Sequence, residues 1–167
     1  MRYILGWVEL EEEQNSNQKQ MLSKVMQWVV ESSFEGTLVS GSSNDFVVEF
    51  CENEKLPLFQ MIHQNIETPY ILVVSLVKIP QNDREKLKSV NQTKFDQLIW
   101  DIKLNLLHMG VDFTVRGLEK DPDAWEVQKR LFLNQTNINQ FHETYSKVKN
   151  ALISIIWAYK RALDLMT

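Results

Sequence analysis

Hydrophobic and polar residues repeat with two different periods along this chain, and each change of period marks a new element. Apolar side chains recur every three or four residues from Asn137 to Met166, which is the spacing of one face of an α-helix. This stretch contains no glycine or proline, and Asn137 is a residue type that favours the N-cap position. The pattern therefore predicts a C-terminal helix on the order of 45 Å long, which could cover a sheet formed by the residues before it.

A period of two, interrupted by glycine, proline and asparagine, predicts strands in the first half of the chain. The predicted strands span residues 36–40, 46–51, 58–64 and 70–79. The last of them is apolar on both sides for most of its length, which is typical of a strand inside a sheet. Because the breaks between successive strands are short, the sequence favours an antiparallel meander.

Two further helices are predicted from the helical period. One spans residues 17–33, and the other is clearest over Asn91–Met109. Asn82 and Glu85 have capping-box spacing ahead of the second helix, and Gly110 suits the position that closes it. This second helix has two apolar faces that are nearly opposite each other, so we expect both faces to be covered.

A second pair of strands lies between the last two helices. These strands are predicted at residues 111–115 and 125–133, and the loop between them is predicted over residues 117–123. The predicted fold class is α+β, an antiparallel β-sheet with packed helices in the order α-β-β-β-(β)-α-β-β-α. Residues 1–16 are predicted to form an N-terminal arm or linker, and residues 17–167 a single α+β domain.

Composition and charge argue against several classes of function. The chain has a net charge of -4 and no cluster of basic residues, so neither nucleic acid nor an anionic membrane is an expected partner. No window approaches the roughly 20 apolar residues of a membrane span, and the N-terminal apolar run is too short for a signal peptide. Cys51 is the single cysteine, which fits a reducing compartment. We therefore expect a cytoplasmic protein.

The sequence carries no motif of a catalytic site. The stretch that begins at His142 resembles the start of a zinc-protease helix, but Ser146 occupies the position of the required second histidine. His63, His108 and His142 lie in different predicted elements; isolated histidines are usually structural, although three of them could meet as a metal site. Cys51 has no neighbouring group in the sequence that would activate its thiol. We therefore expect no catalytic residue, no cofactor, no metal and no enzymatic activity.

The polar side of the last predicted helix contains an apolar pair. Ile153 and Trp157 are four residues apart and therefore adjacent on the helix surface, with Lys160 beside them. An Ile–Trp pair on a charged face predicts a contact with a protein partner or with a second copy of the chain. The alternative is that apolar residues of the N-terminal arm cover the pair within the same chain.

The stretches Phe95–Phe113 and Phe141–Trp157 resemble an uncharacterised, mainly archaeal family of unknown function. In that family a helix ends in a Leu-Leu-x-x-Gly-Val-x-Phe pattern, which begins here at Leu106, and a last helix carries an Ile-Trp pair, here at Ile156. The resemblance covers about the C-terminal half of the chain and implies the fold of type III secretion chaperones. Relatives of known role with that fold are small acidic proteins that often dimerise and bind extended segments of their clients, so the resemblance implies a protein partner or a homodimer. The resemblance implies no catalytic residues.

The lack of catalytic motifs, the acidic charge and the resemblance together predict a non-enzymatic, cytosolic protein-interaction or chaperone-like module. Its client could be captured at an edge of the sheet or at the pair Ile153 and Trp157. The alternative is a small-molecule- or metal-binding domain, or an enzyme, in which the histidines meet in a pocket.

Overall fold

The computed structural model describes residues 18–39, 44–52, 58–65, 67–118, 121–133 and 137–165. These residues form a six-stranded antiparallel sheet and four helices, so the predicted α+β class with helices packed on an antiparallel sheet is confirmed. The helices are α1 (residues 18–31), α2 (Gln81–Val90), α3 (Gln92–His108) and α4 (Ile138–Asp164). The strands are β1 (Glu35–Val39), β2 (Phe46–Cys51), β3 (Phe59–His63), β4 (Tyr70–Lys78), β5 (Asp112–Leu118) and β6 (Asp121–Phe132).

The sheet has the strand order β1-β2-β3-β4-β6-β5, and every neighbouring pair is antiparallel. The first four strands form the predicted meander, and β4 lies inside the sheet between β3 and β6, as its apolar sequence predicts. β4 pairs with β6 along its whole length, from Tyr70 opposite Phe132 to Lys78 opposite Ala124. Strands β1 and β5 are therefore the two edges of this sheet.

Helix α4 lies against the middle of the sheet and supplies much of the core. It packs on β4 and β6, and its buried residues include Phe141 and Tyr145. The ring centroid of Tyr145 lies 4.8 Å from that of Phe59 on β3, and Phe141 lies 6.0 Å from Trp28 on α1. Aromatic contacts of this geometry stabilise a core beyond the burial of apolar area. The predicted role of the C-terminal helix as the cover of the sheet is confirmed.

Helices α1 and α3 flank α4 on the same face of the sheet. On one side, α1 approaches β1 so closely that a Cβ atom built on Gly36 would lie 2.5 Å from Cγ1 of Val29. Gly36 pairs with Phe50, whose side chain is buried in the core. On the other side, α3 contacts both α4 and β5. The second face of the sheet carries the alternate residues of each strand, among them Lys78 and Ala124.

The predicted capping box at Asn82 and Glu85 is wrong. Helix α2 begins directly after Pro80, which is its N-cap residue and makes no side-chain capping bond. The carbonyl oxygen of Pro80 accepts hydrogen bonds from the N–H groups of Asp83 and Arg84 at 3.1 and 3.2 Å, and these bonds open the helix. Asn91, with extended backbone (φ -164°, ψ 104°), separates α2 from α3, and its side chain accepts a hydrogen bond from the N–H of Lys94 at 3.0 Å.

The loop predicted over residues 117–123 is also wrong, because both strands continue into it. β5 extends to Leu118 and β6 begins at Asp121. The register shifts between Arg116 and Gly117, and Gly117 has a φ of +85°, which glycine adopts without steric cost. This bulge allows Gly117 to pair with Pro122, a residue that would otherwise interrupt a strand ladder.

Two predicted helix ends are confirmed. Asn137 caps α4 by accepting a hydrogen bond from the backbone N–H of Gln140 at 3.0 Å. Gly110 closes α3 with a φ of +66°. Its N–H donates to the carbonyl of Leu107, and the next N–H donates to the carbonyl of Leu106, which is the Schellman pattern.

Candidate functional site

The predicted contact pair on α4 is open to solvent at its tryptophan. Trp157 is 71% exposed, Lys160 is also exposed, and Ile153 is half-buried. Residues 1–16, the predicted N-terminal arm, lie outside the described residues. The described part of the chain therefore leaves the Trp157 ring available for a contact, and the nature of its partner stays a prediction.

A second apolar surface lies on α3. One face of this helix is buried in the core, as predicted. On the other face Trp100, Leu104 and Leu107, spaced by four and three residues, are 61%, 47% and 63% exposed. Lys103 lies beside this stripe, with its Nζ 5.5 Å from the centroid of the Trp100 ring. Within the described residues, the expectation that both faces of this helix are covered is therefore wrong.

The exposed residues of α3 and α4 lie on sides of their helices that face away from the sheet, and the two helices pack side by side in opposite directions. At one end, the Oγ of Ser154 lies 3.9 Å from the Sδ of Met109, just after α3. Towards the other end, the first half of α3 and the last turns of α4 line a groove of about 480 Å³. We call Trp100, Leu104, Leu107 and Trp157 the outer helix patch. None of the described helices is long and apolar enough to cross a membrane.

The groove between α3 and α4 has an apolar floor and charged rims. Its lining residues are Lys94, Gln97, Leu98, Asp101, Ala158, Arg161, Ala162 and Leu165. Ala158 and Ala162 are four residues apart on the helix, so their small side chains share one face. Because these side chains are small, the groove has room for side chains of a neighbouring molecule.

The β5 edge is the longer of the two sheet edges. Asp112, Thr114 and Arg116 are exposed, whereas Phe113 and Val115 are half-buried against the core side. In an edge strand, alternate backbone N–H and C=O groups point away from the sheet and have no partner strand. Across the described residues the β5 edge thus offers a row of backbone hydrogen-bonding groups flanked by polar side chains.

A cleft of about 570 Å³ opens at the hairpin end of the β5 edge. Lys78, Ala124 and Arg116 form one row across β4, β6 and β5 and point to the second face of the sheet. Arg116 also forms an ion pair with Glu126. The cleft is lined by Leu76, Lys78, Ile79, Pro80, Arg116, Asp123 and Ala124. It therefore combines apolar walls with cations and one carboxylate.

Each of the three histidines has its own local surroundings. His63 is buried at the end of β3, with Nδ1 3.1 Å from a carboxylate oxygen of Asp45 and Nε2 3.1 Å from the carbonyl oxygen of Thr68. His142 lies at the start of α4, where its Nε2 is 3.3 Å from the Oγ of Ser32, and His108 is exposed at the end of α3. Among the described residues, no group of three or more His, Cys, Asp or Glu side chains could hold a metal ion.

A polar cluster joins the end of β2 to α4. The hydroxyl of Tyr145 donates a hydrogen bond to Glu52 at 2.9 Å, and Lys149 forms an ion pair with the same carboxylate. Burial, followed by the hydrogen bond to Glu52, raises the pKa of Tyr145 above its ordinary value. The hydrogen bonds from Lys149 and Tyr145 lower the pKa of Glu52. Since these shifts keep the hydroxyl protonated and the carboxylate charged, the cluster acts as a tie between β2 and α4.

A second polar cluster ties α2 to the start of β6. Asp121 accepts a hydrogen bond from Arg84 at 2.8 Å and forms an ion pair with Lys88. Burial alone would raise the pKa of Asp121, but the hydrogen bonds and positive charges of Lys88 and Arg84 outweigh it and hold that pKa below its usual value. Nearby, the indole N–H of the fully buried Trp125 donates to the hydroxyl of Tyr159 at 3.4 Å.

Of these features, sequence reasoning missed the cleft and the exposure of the stripe on α3, whereas it named Trp157 of the outer helix patch. The cleft combines residues 76–80 with residues 116–124, and only the pairing of β4, β5 and β6 brings them together. The sequence shows the stripe on α3 as a second apolar face, but its exposure depends on which of the described elements pack over it. Nothing in the local sequence signals that difference.

The fold is similar to that of a solved structure. The crystal structure of an uncharacterized protein from Methanothermobacter thermautotrophicus matches with a TM-score of 0.76 at 17% sequence identity, covering 86% of this chain and 97% of that one. At this identity the likeness shows a shared fold, which does not by itself imply a function. Among curated proteins, none matches this sequence.

The family comparison covers most of the chain. A family described as "Uncharacterized conserved protein (DUF2299)" matches residues 21–159, from α1 to the last turns of α4. The match includes both stretches on which the resemblance to an uncharacterised family rests. We conclude that the chain belongs to the uncharacterized conserved family DUF2299.

Proposed function

We propose that this protein is a non-enzymatic, cytoplasmic interaction module that binds an extended segment of a client protein, as a chaperone does. The observation that carries the proposal is the β5 edge, a seven-residue edge strand that runs to an open cleft. The resemblance to the type III secretion chaperone fold supports it, because relatives of known role with that fold bind extended client segments.

Binding would proceed by strand addition. A client segment that lies along β5 would form backbone hydrogen bonds with the outward N–H and C=O groups of the edge, and these bonds would give affinity without regard to sequence. Alternate client side chains would point to the second face of the sheet, where the cleft opens beside Arg116. The cleft would then select a side chain that combines apolar area with a polar end, since Lys78, Arg116 and Asp123 line it.

The β1 edge supports strand addition less well. It spans five residues, against seven for β5, and Gly36 in its middle has no side chain to contact a client. The bulge between Arg116 and Gly117 also limits β5 to one regular stretch, from Asp112 to Arg116. Bulges and charges of this kind protect edge strands against unspecific pairing, so the regular stretch is where a specific client would bind.

The test is a site-specific photo-cross-link at each edge. A photoreactive residue replaces Thr114 on β5 or, as the matched control, Thr37 on β1; both threonines are exposed on edge strands. In an extract of the protein's own cells, we expect a defined protein adduct at position 114 and little at position 37. Leu76→Arg, which places a charge in the cleft wall, should weaken that adduct. Equal adducts at both positions, or none at position 114, would contradict the proposal.

A second candidate function, binding of a small molecule, rests on the cleft alone. Its volume of about 570 Å³ lies within the range of ligand pockets, roughly 300–1,000 Å³. In that case native mass spectrometry of the purified protein would show a bound compound that Leu76→Arg removes. Position 114 would then give no client adduct, so the two functions are distinguishable.

A further inference from the structure

We propose that the outer helix patch and the groove beside it bind the N-terminal arm of the same chain. The arm lies outside the described residues, and its sequence has two parts. Residues 3–8 carry five apolar side chains, two of them aromatic, and residues 9–13 carry four glutamates. The surface on α3 and α4 has an apolar part and a basic part to match. It is separate from the β5 edge and from the cleft, so the inference does not depend on client binding.

The apolar part of this surface is formed around two exposed tryptophans. Trp100 and Trp157 are 61% and 71% exposed. Each directly precedes a residue that lines the groove between the helices, Asp101 on α3 and Ala158 on α4, so both indoles lie beside the same groove. Contiguous apolar surfaces of this kind mark contact sites on soluble proteins. A contact with residues 3–8 would remove apolar area of both the patch and the arm from water.

The charges on α4 favour the arm over a second copy of the chain. The helix carries four basic and two acidic residues, which gives a net charge of +2 with His142 neutral. Two of the basic residues are ion-paired. Among the described residues no carboxylate pairs with the other two, Lys160 and Arg161, which follow Trp157 by one turn. Arg161 and Lys94 also line the groove. Residues 1–16 contain one arginine and four glutamates, a charge of -3, so this surface attracts the arm, whereas it would repel an identical helix.

The length of the arm is sufficient for this contact. Gln18, the first described residue, is held in place by a hydrogen bond from its Nε2 to the carbonyl oxygen of Asp45 at 2.9 Å. The ten residues between position 18 and position 8 extend up to ~33 Å, about the diameter of a small domain. Residues 3–8 extend up to ~20 Å, whereas packed helices lie about 8–10 Å apart, so one segment can contact both α3 and α4. Because the arm belongs to the same chain, its effective concentration is on the order of millimolar, which populates even a weak contact.

The test is a photo-cross-link within the purified whole chain. A photoreactive residue replaces Leu104 in the patch; the matched control replaces Leu118, which is 73% exposed at the hairpin end of β5. Mass spectrometry should find an adduct between position 104 and residues 3–8, and no such adduct from position 118. In a mixture of isotopically light and heavy chains, the adducts should join light to light and heavy to heavy.

Three results would overturn the proposal. The first is that neither position 104 nor a second photoreactive position, 107, forms an adduct with residues 3–8. The second is a set of adducts that join light chains to heavy chains, which would show a second copy on the patch. The third is an adduct from position 104 to a different protein, in place of residues 3–8, in an extract of the protein's own cells.

Substitutions in the arm and on α4 measure the two parts of the contact. Leu5→Asp should lower the adduct yield from position 104 at least about tenfold, since burial of a leucine side chain contributes that much. Asn15→Asp adds the same charge outside both parts of the arm and should leave the yield unchanged. Leu5→Asp should also shift the indole N–H resonances of Trp100 and Trp157, but not that of the fully buried Trp125.

The basic part is tested by charge reversal at one position of α4. Arg161→Glu should lower the adduct yield at least about twofold, whereas Arg161→Lys, which keeps the charge, should preserve it. Circular dichroism of each variant would show that the domain is folded. Equal yields from Arg161→Glu and Arg161→Lys, or a Leu5→Asp chain that matches the wild type in yield and in its indole resonances, would refute the contact.

Discussion

The close contact between α1 and β1 makes Gly36→Ala a sensitive test of this packing. The new Cβ would lie 2.5 Å from Cγ1 of Val29, far inside the ordinary carbon–carbon contact distance of ~3.5–4.0 Å. Val29 is fully buried and β-branched, so its side chain cannot rotate away easily. Overpacking of this kind costs about 1–3 kcal/mol, and the better strand propensity of alanine returns roughly 0.5–1 kcal/mol. We expect a net loss of about 1–2 kcal/mol in unfolding free energy.

A double-mutant cycle identifies Val29 as the cause of this loss. Urea unfolding of Gly36→Ala, Val29→Ala and the double variant measures the three changes in free energy. Val29→Ala alone removes buried methyl groups and should cost about 2 kcal/mol. In the double variant the methyl at position 36 occupies the space that Val29 vacates, so its loss should fall short of the sum by roughly 1 kcal/mol or more. Two variants whose losses simply add, or a Gly36→Ala protein as stable as the wild type, would refute the contact.

Two further predictions concern the polar ties of α2 and α3. Asp121→Asn should destabilise the protein at pH 7. Lys88 and Arg84 hold the pKa of Asp121 in the folded state below its ordinary value. The stability that this carboxylate contributes is therefore present above about pH 4 and is lost as the pH falls through the folded-state pKa. Urea unfolding should therefore show a gap between wild type and variant that narrows from pH 7 to pH 3, and a constant gap would contradict the assignment. Asn91→Ala should lower the free energy of unfolding by about 1 kcal/mol, because it removes the side chain that caps the N–H of Lys94. Asn91→Asp should keep most of that stability, because aspartate can accept the same hydrogen bond. Equal losses of unfolding free energy in the two variants would show that the cap contributes nothing.

The elements that sequence reasoning predicted correctly are those with strong local signals. The seam of apolar residues in α4 repeats over seven turns, and Asn137 and Gly110 act through bonds to residues close to them in the chain. The interior position of β4 follows from its apolar residues on both sides, which would not be stable at an edge. Each of these predictions depends on residues that are neighbours in sequence, and for that reason the local pattern was sufficient to predict them.

The wrong predictions involve competition between local signals and more distant contacts. Asn82 and Glu85 have the spacing of a capping box, but Pro80 starts the helix two residues earlier. The turn residues between Gly117 and Asp123 predict a loop, but pairing with the neighbouring strand extends both β5 and β6 through them. The candidate sites were less predictable still, because exposure and strand order are properties of the whole fold.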